Sequence, residues 1–119
     1  MAAAVKRKLS GSTDGKPIKV VATATAGTTI HTAVAGQVAG TYDEVWIWAY
    51  NGHTANVTLT IEFGGADVPD QNIVVTIPFK SGLVLIIPGL ILQNAMVVKA
   101  FASIANVITL SGFVNSITD

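Results

Sequence analysis

Charged side chains are scarce in this sequence. Seven Lys or Arg and seven Asp or Glu make up 12% of the 119 residues, about half of the roughly 25% that is usual in soluble domains. Half of the residues are hydrophobic, and a chain of this size leaves much of its surface outside a single core. We therefore expect other protein to cover part of that surface, in a homo-oligomer or a larger assembly.

Cysteine and long apolar runs are also missing. Without cysteine, disulfides, thiolate metal sites and cysteine nucleophiles are excluded. The most apolar run, residues 82–92, contains Pro88 and is much shorter than the about 20 residues of a membrane-spanning helix. Lys6, Arg7 and Lys8 stand where a signal peptide needs its apolar region. We expect a protein made in a cytoplasm, with no membrane partner.

The few charges are unevenly distributed. The first 19 residues contain five cations and one acid, which leaves them at +4 and the rest of the chain at −4. Opposite charges of this kind allow one copy to attract another. Because large apolar residues are rare before Pro17, we predict a flexible basic N-terminal arm over residues 1–17 and a folded domain over residues 18–119. The arm residues expected to contact a neighbouring subunit are Val5, Lys6, Arg7, Lys8 and Leu9.

Strand patterns dominate the rest of the chain. Residues 57–63 alternate apolar and polar side chains, and residues 72–79 and 106–115 do so less strictly, which is typical of half-buried strands. Turn-forming pairs such as Asn51-Gly52 and Pro88-Gly89 separate the apolar segments. No helical period is sustained. The pattern predicts an all-β fold, a β-sandwich or jelly-roll-like domain of about eight short antiparallel strands.

Two segments are apolar on both faces, namely residues 45–50 and residues 83–87. A strand of this kind is buried on both sides, inside a layered core or at a subunit interface. We therefore predict that these segments form the interface that hides the surplus apolar surface. The predicted interface residues are Trp46, Trp48, Tyr50, Leu83, Leu85, Ile86, Ile87 and Leu90.

Residues that could carry chemistry are few and widely spaced. His31 and His53 have no metal-ligand spacing, so we interpret them as structural or surface residues; a metal on a symmetry axis, held by one His per subunit, stays open. Asp67 and Asp70 share a Pro-containing loop, which explains them as turn residues. We predict no catalytic residue, no metal and no cofactor. The apolar, acidic surroundings of Trp46, Trp48 and Tyr50 argue against binding of nucleic acid, although the rings of these three residues could stack on a sugar.

Three consecutive segments resemble small virion proteins of tailed bacteriophages. They are a strand with contact aromatics at residues 42–51, an alternating strand with a Gly-Gly exit at residues 57–65, and an apolar strand that ends on Pro-Gly at residues 83–89. The resemblance extends over about residues 29–118, and it implies a capsid decoration (cement) protein. Such a protein is assembled in the host cytoplasm and sits on the capsid surface, often as a trimer bound to the major capsid protein or another virion protein.

Two other functions remain open. A tail, neck or fibre component would need the same low charge and high strand content. A protein of another class, a ligand- or carbohydrate-binding β-sandwich module, would use the aromatic strand around Trp46 as its binding surface.

Overall fold

The computed structural model describes residues 3–119, which contain nine β-strands. The strands are β1 (Ala3–Lys8), β2 (Ile18–Lys19), β3 (Thr28–Thr32), β4 (Tyr42–Asn51), β5 (Val57–Phe63), β6 (Asn72–Ile77), β7 (Val84–Leu92), β8 (Val97–Ala102) and β9 (Ile108–Thr118). Within this described range, no helix has the length and apolar character needed to cross a membrane.

The strands form two antiparallel sheets. Sheet A has the order β1-β9-β4-β7, with the short β2 also paired to β9, and sheet B has the order β3-β8-β5-β6. The chain pairs from its ends inward, since the first strands pair with β9, β3 with β8, β4 with β7 and β5 with β6. Wrapping this long hairpin into two layers is the jelly-roll arrangement. The predicted all-β sandwich is confirmed.

The core lies between the sheets and is almost entirely aliphatic. Val45, Ile47 and Ala49 face inward from β4 and are fully buried, as are Leu59 and Ile61 from β5. The total accessible surface is 6123 Å², close to the about 6,100 Å² expected for a compact monomer of this mass.

The N-terminal segment differs from the flexible arm that the sequence predicted. Ala3–Lys8 is a strand that pairs with β9 from Ala3 opposite Thr118 to Lys8 opposite Phe113. Leu9 is fully buried and belongs to the core. The sequence predicted a flexible arm because large apolar residues are rare here. The segment is nevertheless held in place, because the single leucine packs in the core and the edge of β9 supplies backbone hydrogen-bond partners.

The structure of two other segments is not evident from their sequence. Pro88-Gly89 lies inside β7 rather than in a turn, because β7 continues to Leu92 with two register shifts against β4. The Thr- and Ala-rich residues 21–26 form a loop rather than a strand. That loop covers the outer face of sheet B at Glu62. The carboxylate of Glu62 accepts hydrogen bonds there from the Thr25 hydroxyl at 2.9 Å and the Gly27 N–H at 2.7 Å.

Candidate functional surfaces

The outward side of sheet A carries a cluster of three aromatic rings. Trp46 and Trp48 of β4 lie with their ring centroids 6.2 Å apart, and Phe113 of β9 lies 6.4 Å from Trp46 and 6.0 Å from Trp48. The ring planes are within 29° of parallel. Alternation along a strand places the tryptophans here, since Val45, Ile47 and Ala49 point into the core. All three rings are partly exposed.

Glycine on the neighbouring strands makes room for Trp46. A Cβ atom on Gly89 of β7 would lie 2.8 Å from Trp46 Cζ2, and Gly89 also has a positive φ of 80°. On β9, a Cβ on Gly112 would collide with the Trp46 carbonyl oxygen. The indole ring therefore packs against bare backbone at Gly89, whereas Gly112 allows the main chain of β9 to lie close to that of β4.

A polar group borders the aromatic cluster on one side. The Trp46 Nε1–H donates to Glu44 Oε1 at 2.7 Å, and Asn115 Nδ2 donates to the same oxygen at 3.0 Å. These two hydrogen bonds, that from Trp46 first, hold the pKa of Glu44 below its ordinary value. Lys6 Nζ of β1 lies 4.2 Å from the centre of the Phe113 ring, a cation–π contact.

Aliphatic side chains extend the cluster toward β7, the edge strand of sheet A. Leu85 is 45% exposed and pairs with Trp48, Pro88 pairs with Trp46, and Ile91 is 57% exposed and pairs with Glu44. β7 itself contains no charged residue. We call this surface the aromatic face, and it consists of Trp46, Trp48, Leu85, Pro88, Ile91 and Phe113.

The predicted interface residues separate into accessible and buried groups. Trp46 and Trp48 belong to the aromatic face, and Tyr50 is half-buried further along β4. Among the other predicted interface residues, Leu83, Leu85 and Leu90 are exposed. The prediction is wrong for Ile86 and Ile87, which are 7% and 0% exposed and pack in the core. A continuous apolar run hides which residues point inward, and bulges shift the alternation within β7.

A second surface is a groove at the β3 edge of the sandwich, and it contains His31. The Ser10 N–H donates to His31 Nδ1 at 2.9 Å, so the ring proton lies on Nε2, which contacts Asp43 Oδ2 at 2.7 Å. His31 belongs to sheet B, Asp43 to sheet A and Ser10 to the β1–β2 connection. The His31 ring thus joins three parts of the fold, and both of its nitrogens are occupied.

The groove is open on the outside and has a volume of about 650 Å³. Arg7 and Lys8 of β1 line it together with Thr32, Asp43 and Ser116. Asp43 Oδ1 is buried and has no hydrogen-bond partner among residues 3–119. Of the residues predicted for the arm, Lys6, Arg7 and Lys8 are exposed and Val5 is 47% exposed, whereas the buried Leu9 cannot contact a partner.

A smaller cavity of about 270 Å³ lies on the outer side of sheet B, next to Glu62 and Lys99. The Glu62 carboxylate is already bonded to the loop that covers it. His53 lies in the turn after β4, where its N–H donates to Asn51 Oδ1 at 2.8 Å. Over residues 3–119, no group of three or more His, Cys, Asp or Glu residues is placed to hold a metal ion.

Sequence reasoning missed the contribution of β9 to the aromatic face. Phe113 and Asn115 stand two residues apart on one side of a strand, a spacing that indicated a shared face but not a neighbour. Their position beside Trp46 follows from the pairing of β4 with β9, which joins segments about 70 residues apart in the chain and has no local signal.

Comparison with known proteins gives no family, since the chain matches no protein-family model, no curated protein and no solved structure.

Proposed function

We propose that this protein is a structural component of a tailed-phage virion that attaches to the capsid surface as a decoration protein, as a trimer, and stabilises the shell. The observation that carries the proposal is the aromatic face. It combines three clustered aromatic rings with aliphatic side chains and an uncharged edge strand. Enrichment in aromatic residues and depletion of charge mark the centre of protein–protein interfaces.

The fold supports the same function. An aliphatic core between the two sheets supports the outer strands, and Trp46, Trp48 and Phe113 stand together on the outward side of sheet A. A decoration protein binds through several equal contacts at once, so multivalency offsets a modest affinity of each contact. The aromatic face would contact the major capsid protein or another virion protein.

A tail, neck or fibre component would use the same surface, and copy number separates these locations. A decoration protein is present in hundreds of copies on each particle. The copy number of a tail or neck component is a small multiple set by the symmetry of its ring. Quantitative mass spectrometry of purified virions that contain this chain gives that number directly.

A carbohydrate-binding module is the second candidate, and the near-parallel rings with a polar border favour it. Aromatic rings stack on sugar faces, and Glu44 and Asn115 would bind sugar hydroxyls beside them. In that case saccharides would bind the isolated protein, and Trp48→Ala would remove the binding. A decoration protein binds particles whether or not saccharide is present.

The test of the proposed function is a pair of matched surface variants. Ile91→Asp places a charge on the aromatic face, and Val74→Asp places one at a comparably exposed position, 62% against 57%, on β6 of sheet B. We expect both variants to melt like the parent. In co-sedimentation with particles that lack the protein, Ile91→Asp should lose binding while Val74→Asp retains it. Equal binding by both variants would exclude the aromatic face as the attachment surface.

A further inference from the structure

We propose that the groove beneath β1 of one copy receives the loop of residues 67–70 from a neighbouring copy, so that copies join head to tail in a ring. The inference rests on the proposed function, in which the protein acts as a trimer, and it names the contact between copies. A ring of three requires two unlike patches, because one heterologous contact is repeated around the axis.

The two patches lie on opposite sides of the sandwich. The edge strands of sheet B are β3 and β6. The groove lies at the β3 edge, where Thr32 and Val34 line it. The loop of residues 67–70 follows β5 and leads into β6. One copy can therefore present its groove to one neighbour and its loop to the other.

The patches also lie at the same end of the sandwich. Gly64 follows β5 directly, and a Cβ on it would lie 3.2 Å from Leu92 Cδ1. Leu92 pairs with Asp43, and Asp43 lines the groove. Rotation about an axis parallel to the strands moves a patch around the ring without moving it along the axis. The loop of one copy thus reaches the level of the groove of the next copy.

The charges of the two patches are complementary. Arg7 and Lys8 line the groove, Asp67 and Asp70 bound the loop, and all four residues are exposed. Lys8 gives one hydrogen bond to the Ser12 carbonyl oxygen at 2.9 Å, which leaves two of its three donors. Over residues 3–119, the carboxylates of the loop form no ion pair with a Lys, Arg or His side chain. Complementary charges speed association and fix its register.

The loop and the groove also match in their other chemistry. Val68 at the tip of the loop is 75% exposed, more than any other large hydrophobic residue in the described chain. The groove volume of about 650 Å³ is that of a site for a compact ligand, which suits a short loop.

Charge reversal tests the contact. We expect the parent protein to sediment as a trimer, and both Arg7→Glu/Lys8→Glu and Asp67→Lys/Asp70→Lys to weaken the association at least about tenfold, because each juxtaposes like charges. The variant with all four substitutions restores opposite charges at every contact and should regain the trimer. The matched control is Lys16→Glu/Lys19→Glu, which reverses two exposed cations outside the groove and should leave the trimer intact.

Circular dichroism melting shows whether each variant remains folded. A trimer that persists in both double reversals, or a fourfold variant that stays folded but monomeric, would overturn the head-to-tail contact. A parent protein that is monomeric at all concentrations would overturn it too. A monomeric parent would also remove the trimer from the proposed function, whereas the attachment surface itself is tested separately by the Ile91→Asp and Val74→Asp pair.

Discussion

At the scale of single residues, three polar side chains in the interior connect separate parts of the fold. His31 joins the two sheets and the β1–β2 connection. Asn51 Nδ2 donates to the carbonyl oxygens of Ala55 at 3.0 Å and Ile77 at 2.9 Å, which ties the end of β4 to β6. Glu62 holds the loop over sheet B. A chain with so few charges uses buried polar side chains to fix its connections, and an aliphatic core then fills the remaining space.

The titration of Glu44 should report the integrity of the aromatic face. Its pKa in the folded protein lies below the ordinary value of 4.5, because Trp46 and Asn115 donate hydrogen bonds to the charged form. The stability that these bonds contribute is present above pH 4.5 and is lost as the pH falls through the folded-state pKa. Carboxyl-detected NMR should therefore give a Glu44 midpoint below 4.5.

Two conservative variants test whether the Trp46 indole N–H lowers the pKa of Glu44. Trp46→Phe removes the indole N–H and should move the Glu44 midpoint upward toward its ordinary value. Trp48→Phe removes an indole N–H from the same face without a bond to Glu44, and it should leave the midpoint in place. An identical midpoint in both variants would assign the shift to another cause.

Gly89 is predicted to position the Trp46 ring. Gly89→Ala combines an unfavourable positive φ of 80° with a Cβ that meets the ring at 2.8 Å, whereas Gly82→Ala introduces a similar φ of 75° with no atom within 4 Å. We expect Gly82→Ala to cost about 1 kcal/mol from backbone strain alone, and Gly89→Ala to cost about 1–3 kcal/mol more from overpacking. Urea unfolding measures both, and near-UV circular dichroism should change only in Gly89→Ala. Equal losses would mean that the ring moves aside freely.

At the scale of strands, the N-terminal segment has two parts with different roles. All side chains of β1 are exposed, whereas Leu9 is buried and the following residues bind β3. The Gly11 N–H donates to the Ile30 carbonyl oxygen at 2.9 Å, and the Ser10 hydroxyl accepts from the Thr32 N–H at 2.7 Å. The connection after β1 therefore covers the free edge of sheet B.

Truncation should distinguish these two parts. A protein whose residues 1–8 are replaced by a single Met keeps Leu9 and should melt close to the parent temperature. A protein that lacks residues 1–16 loses the buried leucine and the contacts to β3, and its free energy of unfolding should fall by at least the about 2–5 kcal/mol typical of Leu→Ala in a core. Leu9→Ala in the full chain is the matched control for the leucine alone. Equal melting of the two truncated proteins would show that Leu9 is not an anchor.

The sequence predicted those parts of the fold that have a strong local pattern, and it did not predict contacts between distant segments. The alternation of residues 57–63 predicted β5 correctly. The same alternation placed Thr60 and Glu62 toward solvent, yet they are 6% and 2% exposed. A loop from a distant part of the chain covers Glu62, and no period within β5 contains that information. The groove was missed for the same reason, because its lining comes from four separate segments of the chain.

At the scale of the whole molecule, the two proposed contacts use different sides of the sandwich and different forces. The aromatic face is apolar and lies on the outward side of sheet A, where it would bind the particle. The groove and the loop of residues 67–70 are charged and lie at opposite lateral edges, where they would bind other copies. Because burial of apolar area tolerates salt and exposed ion pairs do not, the two contacts should respond to ionic strength in different ways.

Self-association should therefore weaken with salt, while attachment through the aromatic face should not. The Debye length falls from about 10 Å at 0.1 M to about 3 Å at 1 M ionic strength, which screens the attraction between exposed charges. Analytical ultracentrifugation should show a trimer dissociation constant that rises over this range for the parent and stays flat for Arg7→Gln/Lys8→Gln. Binding to particles should lose only the part that depends on trimer formation, so a monomeric variant should bind weakly but with little dependence on salt. A trimer that tightens with salt would instead mean that the aromatic face joins the copies to one another.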